Sequence, residues 1–185
     1  MSVSLIKFRH DVSDGLLGRT IAGTGHRPQK LGGFGETANS TLRRFARAWL
    51  EILAPERVIS GMALGWDQAL AAAAVDLAIP FVAAVPFEGQ EARWPTSSQR
   101  EYQQVLCRAA EVLIVSPGSF SAQSMQSRKE WMTDRCDLLL ALYDGSASGT
   151  GNCIRYADEI GRDTINLWAS WQVLVAAPAD RRVAG

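Results

Sequence analysis

Residues 57–85, RVISGMALGWDQALAAAAVDLAIPFVAAV, decide the fold. A short apolar strand is predicted at 57–60, and it ends at the glycine turn 61–65. An alanine-rich helix is predicted over 66–78, because alanine has the best helix propensity and lets a helix lie close to a sheet. The nearly continuous apolar run at 80–85 is typical of a strand covered on both faces. The stretch is therefore a β-α-β unit.

The same alternation continues on both sides of this unit. Further strands are predicted at 19–23, 111–116, 137–143 and 163–168. Further helices are predicted at 36–54, from Thr96 to about 110, from Ser121 to 135 and from about Thr150 to 161, with Thr96 and Ser121 as capping residues. Strands alternating with helices indicate right-handed crossovers. We therefore predict a single-domain α/β fold of Rossmann-like type, with a mostly parallel sheet and helices on both faces.

Composition limits the classes of function. Hydrophobic residues form 47% of the 185-residue chain, which supports one packed domain. The 19 basic and 19 acidic side chains cancel, whereas nucleic-acid binders usually carry a basic excess. We expect residues 1–18 to be an N-terminal extension or edge strand, residues 19–172 to be the Rossmann-like domain and residues 173–185 to be a C-terminal tail.

Cysteine usage and hydropathy favour a cytoplasmic location. The three cysteines, Cys107, Cys136 and Cys153, include no CxxC pair, so the sequence predicts neither a metal site nor a disulfide framework. The first residues lack the apolar segment of a signal peptide, and no apolar run reaches the length of a transmembrane helix. We expect reduced thiols and no membrane partner.

Three glycine-containing loops follow predicted strands, at 23–28 (GTGHRP), 60–67 (SGMALGWD) and 144–152 (DGSASGTGN). Ligands of parallel α/β sheets bind outside the carboxyl ends of the strands, and the backbone N–H groups at a helix start bind anions. We expect these loops to hold phosphate or ribose. The alternatives are that loop 23–28 is a structural turn and that Asp67 caps its helix instead of contacting a ribose hydroxyl.

A fourth loop, 86–94, carries aromatic and amide side chains that could receive a base by stacking and edge hydrogen bonds. The alternative is a loop held down by its own aromatic residues. The full set of predicted ligand-binding residues is Thr24, Gly25, His26, Arg27, Ser60, Gly61, Met62, Gly65, Asp67, Pro86, Phe87, Gln90, Trp94, Arg128, Ser148, Gly149, Thr150 and Asn152.

Four motifs resemble one known family. They are TGHRP…LGGFG from residue 24, SGMALGWDQALA from residue 60, PFEGQEARW…QREYQQVL from residue 86 and MTDRCDLLLALYDG…GTGNCIRYA from residue 132. In this order they resemble the SLOG superfamily, and its YpsA-like branch most closely, which is related to DprA and to the LOG proteins. The resemblance covers roughly residues 19–168. It implies a Rossmann-like fold with nucleotide or nucleotide-derived ligands, and it suggests ligand sensing in conflict between phages and their hosts.

The sequence also departs from these relatives. LOG phosphoribohydrolases carry a catalytic glutamate three positions after the threonine of their glycine-rich motif, and Cys153 occupies that position after Thr150. Our leading hypothesis is a module that senses or sequesters a nucleotide-derived ligand, such as an ADP-ribose-like molecule, and no cofactor is firmly implied. The second is an enzyme that cleaves or transfers an N-glycosidic bond, with Asp67, Asp134 or Asp144 as catalytic group.

The third hypothesis is binding of single-stranded DNA, as in the DprA relatives, which the absence of a basic excess disfavours. We also expect a homo-oligomer, because Trp168, Trp171 and the apolar residues 173–175 leave a surface that a partner could cover.

Overall fold

The computed structural model describes residues 19–177. They form one sheet of six parallel strands in the order β4-β3-β2-β1-β5-β6. The strands are β1 (Thr20–Gly25), β2 (Arg57–Ser60), β3 (Phe81–Val85), β4 (Glu111–Ile114), β5 (Leu138–Leu142) and β6 (Asp163–Asn166). The predicted Rossmann-like α/β fold is confirmed.

Six α-helices within residues 19–177 flank the sheet. They are α1 (Glu36–Leu53), α2 (Trp66–Asp76), α3 (Thr96–Leu106), α4 (Ala122–Asp134), α5 (Gly149–Glu159) and α6 (Trp168–Ala176). Helix α6 continues into residues expected to be a tail. Its Trp171 is buried against Phe45 of α1, with ring centroids 5.3 Å apart. No helix of the described residues is both long and apolar enough to span a membrane.

The predicted helix caps have different outcomes. Ser121 is the N-cap of α4, and it forms a capping box in which its hydroxyl accepts a bond from the backbone N–H of Ser124. Thr96 was wrongly predicted as a cap, because Pro95 takes that position and makes no side-chain capping bond. The prediction for residues 1–18 lies outside the described residues.

Small residues let α2 lie directly on the sheet. Ala71, Ala73 and Ala74 of this helix are fully buried. A Cβ atom on Gly25 would lie 2.5 Å from the Cβ atom of Trp66. Gly25 therefore serves the packing of α2 against β1, which favours the structural-turn interpretation of this glycine over the ligand-contact one.

The sheet separates two apolar layers and also sets the position of the site. The larger layer packs α1, α2 and α6 against one face, and the smaller one packs α4 and α5 against the other. Strands β1 to β4 advance in one direction along the sheet, whereas β5 lies on the far side of β1. The strand order thus reverses at β1 and β5, and ligands of such sheets bind outside the strand ends at that point.

Candidate functional site

The centre of the candidate site is a buried carboxyl group and a buried guanidinium group beside Gly61, just after β2. Asp67 comes from the first turn of α2, and Arg128 comes from α4 on the opposite face of the sheet. Their side chains are 4% and 5% exposed, respectively. A Cβ atom on Gly61 would lie 2.8 Å from both Asp67 Oδ2 and Arg128 Cζ. Glycine is therefore required for both groups to occupy this position.

Arg128 is only partly satisfied by its surroundings. Its Nη1 atom donates to the carbonyl oxygen of Gly61 over 2.8 Å. Its Nε atom is buried and has no hydrogen-bond partner within residues 19–177. No direct ion pair joins Arg128 to Asp67 in this part of the chain. A buried donor without a partner is costly, so this nitrogen identifies a place where a ligand oxygen would be stabilised.

Two more cations act on the same region. Lys129, next to Arg128 on α4, approaches the start of α5, where a Cβ atom on Gly149 would lie 3.0 Å from its Nζ atom. Arg27 is exposed after β1 and interacts electrostatically with both Asp67 and Arg128. The site therefore carries three cationic side chains and one carboxyl group.

Burial shifts the pKa values of the titratable side chains in the site. It raises the pKa of Asp67 despite the opposing effect of Arg128, Arg27 and Lys129. Burial, followed by repulsion from Arg128, lowers the pKa of Lys129. An incoming anion would favour the charged forms of the two α4 cations. The electrostatics of the site therefore suit a phosphate better than a cation.

The β2–α2 loop has a backbone conformation that residues other than glycine rarely adopt. Met62 is fully buried with a φ of 55°, and its backbone N–H donates to the Ser60 hydroxyl. Gly65 has a φ of 93°, and a Cβ atom there would clash with the carbonyl oxygen of His26. Such strain is often retained at functional sites. The loop is thus held against the end of β1, and Gly65 serves this contact.

His26 and Asp144 lie together and form hydrogen bonds with each other. The Nε2 atom of His26 lies 2.7 Å from Oδ1 of Asp144 and 2.9 Å from the backbone nitrogen of the same residue. It donates to the carboxylate when it carries a hydrogen and accepts from the backbone N–H when it does not. Lys30 donates to the other oxygen of Asp144 over 2.5 Å. Lys30, followed by Ser146, holds the pKa of Asp144 far below its usual range. This cluster joins the loops after β1 and β5, and the role of His26 as a phosphate donor stays a prediction.

The remaining aspartate candidate also has a partner. Asp134 is exposed and accepts a bond from the Tyr156 hydroxyl over 2.8 Å. Asp67 is therefore the candidate carboxyl group that lies beside Arg128. It does not cap α2, whose N-cap is Gly65, although it accepts a backbone bond from Ala63.

The loop expected to receive a base is engaged by contacts within the protein. Phe87 packs edge-on against Phe120, and Trp94 packs edge-on against Tyr102. The amide of Gln90 donates to the Tyr102 hydroxyl over 3.3 Å. These contacts favour the alternative in which the loop is held down by its own aromatic residues.

The start of α5 is close to the site but differs from a LOG motif. The Ser148 hydroxyl caps α5 by accepting from the backbone N–H of Gly151. Cys153 is buried, and burial raises the pKa of its thiol. The neutral thiol cannot replace a catalytic carboxylate. No cluster of three or more metal-ligating side chains was found among residues 19–177.

The sequence did not indicate Lys129 as a site residue, because it lies in none of the glycine-containing loops. The signal that could have identified it is its position: two adjacent cations, Arg128 and Lys129, stand on the crossover helix between the two halves of the sheet.

Comparison with known proteins assigns the family. The family model YpsA, described as the YspA SLOG family, matches residues 21–160. The chain belongs to the YspA SLOG family.

Two curated relatives support this assignment. The SPbeta prophage-derived protein YoqJ of Bacillus subtilis (strain 168) is 37% identical over 117 residues, which are 55% of this chain and 68% of YoqJ. A UPF0398 protein of Shouchella clausii (strain KSM-K16) is 29% identical over 140 residues, which are 69% of this chain and 74% of that protein.

Solved structures share the fold at low sequence identity. DNA processing protein A (DprA) from Streptococcus pneumoniae matches 80% of this chain with a TM-score of 0.57 and 19% identity. DprA from Helicobacter pylori, described for its single-stranded DNA binding mode, matches 85% of this chain with a TM-score of 0.57 and 18% identity. The present chain spans 49% and 66% of these two proteins, respectively.

Proposed function

We propose that this protein binds the phosphate group of a nucleotide or nucleotide-derived small molecule at the carboxyl ends of β1, β2 and β5. The observation that carries the proposal is the buried Nε atom of Arg128, which lacks a partner within residues 19–177. A phosphate oxygen there would accept a charge-assisted hydrogen bond, which is roughly twice as strong as one between neutral groups.

The surrounding groups support an anionic ligand. Arg128 approaches Gly61 in the loop after β2, and Lys129 approaches Gly149 at the start of α5. Glycine at both positions leaves room beside the cations. Arg27 adds a third positive charge at the exposed side. A ribose hydroxyl beside Asp67 would complete the recognition of a nucleotide, as proposed for this residue from the sequence.

The prophage origin of YoqJ and the SLOG family membership support a sensing or sequestering role, in phage-host conflict among other settings. We propose binding without turnover as the principal function, because Asp144 and Asp134 are engaged by other side chains. N-glycosidic cleavage is the second candidate, with Asp67 as acid, since burial favours its protonated form.

Binding of single-stranded DNA is a third candidate. The structural likeness to H. pylori DprA favours it, and the same cationic site could hold a backbone phosphate. The formal net charge of zero argues for a small ligand instead.

Thermal shift and native mass spectrometry of the full chain test these candidates. The panel contains AMP, ADP-ribose, cyclic nucleotides and a single-stranded oligonucleotide at low and high salt. A ligand at 100 times its Kd should stabilise the fold by about 2.7 kcal/mol. Arg128→Met should abolish the effect, whereas Arg44→Met, a matched loss of an exposed arginine on α1, should not.

The outcomes separate the three functions. A stabilising nucleotide recovered intact supports binding, and release of free base supports the enzyme. A salt-sensitive shift by the oligonucleotide alone supports DNA binding. If neither a nucleotide nor the oligonucleotide changes the Tm, the proposed phosphate site is wrong.

A further inference from the structure

A concave site lies between α1, α2 and α3, and it extends to Leu64 and Gly65 of the β2–α2 loop. It is a cavity of about 370 Å³ whose floor includes Ala69 and Ala72 of α2. These small side chains leave space between α1 and α3. A long hydrogen bond of 3.4 Å joins Asn39 of α1 to Glu101 of α3 across it. Neither Arg128 nor Lys129 lines this cavity, although its lining includes Pro28 and Gly65, which neighbour the phosphate site.

Two buried polar side chains line the cavity with hydrogen-bonding capacity to spare. Ser98 is only 8% exposed, and no hydrogen bond to its hydroxyl is found within residues 19–177. Gln68 is 9% exposed and uses its amide nitrogen for a long bond of 3.4 Å to the carbonyl oxygen of Met62, which leaves its own oxygen free in that part of the chain. Neither oxygen is among the fully buried atoms without a partner in residues 19–177, so both are open to the cavity. They are therefore free to accept hydrogen bonds from a polar ligand.

The charges around the cavity exclude a second phosphate. Glu36 and Glu101 line it and are exposed to solvent at its rim. The one cationic side chain of its lining, Arg43, is held by a two-pronged interaction with Asp76. The cavity therefore presents an excess of negative charge.

An aromatic ring completes the lining. Phe34 follows two glycines with φ values near 94° and remains 48% exposed. A half-exposed phenyl ring beside carboxylates suits a cation, which is attracted to the face of an aromatic ring. The small alanine side chains that line the cavity suit the hydrocarbon part of a ligand.

We propose that this cavity binds a small organic cation with an apolar body, such as an arylalkylamine. The ammonium group lies at the acidic rim and donates to the free oxygens of Ser98 and Gln68. The hydrocarbon part packs on Ala69, Ala72 and Phe34. This inference is independent of the proposed phosphate site, because it uses other residues and the opposite charge.

Isothermal titration of the full chain with three probes of similar size tests the proposal. The probes are benzylamine, benzyl alcohol and phenylacetate. We expect benzylamine to bind about threefold to fivefold more tightly than the neutral alcohol, which is the scale of one exposed ion pair, and phenylacetate not to bind. Equal affinity for all three, or no heat with benzylamine at millimolar concentration, would overturn the proposal.

Three substitutions test whether benzylamine binds in this cavity. Glu101→Gln should weaken benzylamine about threefold to fivefold, and Ala72→Leu should block it by filling the floor. Glu51→Gln is the matched control, because it removes an exposed carboxylate of α1 that pairs with Arg47 and does not line the cavity. Unchanged affinity in Glu101→Gln, with Tm equal to the parent protein, would show that benzylamine binds elsewhere.

Discussion

The Cζ atom of Arg128 and the Oδ2 atom of Asp67 both lie 2.8 Å from the position that a Cβ atom would take on Gly61. The two groups come from helices on opposite faces of the sheet, and they meet beside Gly61 at the carboxyl end of β2, the strand next to β1. Because both groups lie so close to Gly61, a substitution at this residue tests the site most directly. Any side chain there must displace a buried charge.

Gly61→Ala should therefore damage both stability and binding. Inserting a methyl group between packed atoms costs about 1–3 kcal/mol in the free energy of unfolding, and displacement of Arg128 should remove nucleotide-induced stabilisation. Urea unfolding gives the first quantity, and thermal shift with the panel gives the second. Gly35→Ala is the control, because a Cβ atom there meets nothing within 4 Å. Retained ligand stabilisation in Gly61→Ala would mean that Arg128 is not part of the site.

Most of the fold was predictable, because strand and helix periodicities were unambiguous in this chain. The alanine run 71–74 and the apolar strand 81–85 lie where the sequence indicated, and they are buried. Helix α6 was not predictable in the same way. Trp171 is stabilised by contact with Phe45, more than a hundred residues earlier, and such tertiary packing overrides a local signal.

The candidate site was less predictable than the fold. Glycines mark loops, but the sequence does not say what each glycine accommodates. Gly25 makes room for Trp66, whereas Gly61 makes room for Arg128 and Asp67. The pairing of His26 with Asp144 depends on the crossover that places β5 beside β1. Only the folded chain distinguishes a packing glycine from a binding glycine.

Lys129 should make ligand affinity pH-dependent. Burial and the neighbouring Arg128 lower the pKa of Lys129 from its ordinary value, so its charge is lost at a lower pH than for a solvated lysine. The affinity for ADP-ribose, whose diphosphate keeps its charge, should fall as the pH rises, and the fall should begin at a lower pH than the loss of charge of a solvated lysine. Lys129→Arg should keep its affinity to higher pH, because guanidinium groups stay charged. Parallel titration curves for both proteins would contradict this assignment.

Asp67→Asn should stabilise the ligand-free protein at neutral pH. Burial raises the pKa of Asp67, so ionisation is less favourable in the folded chain than in the unfolded one. The parent protein therefore loses stability as the pH rises from the unfolded pKa through the folded one, and asparagine avoids this loss. The Tm difference between variant and parent should be larger at pH 7 than at pH 4. A Tm decrease at pH 7 that disappears at pH 4 would show that the ionised carboxylate stabilises Arg128 instead.

Gly25→Ala separates packing from binding when it is compared with Gly61→Ala. A Cβ atom on Gly25 would meet Trp66 at 2.5 Å in the core beneath the loops, and not a charged group of the site. We expect a loss of about 1–3 kcal/mol in the free energy of unfolding, while the folded fraction keeps its nucleotide affinity within about twofold, since Arg128 and Lys129 are undisturbed. Isothermal titration well below the lowered Tm measures that affinity. Loss of affinity as complete as in Gly61→Ala would place Gly25 in direct contact with the ligand and restore the interpretation that the sequence alone suggested.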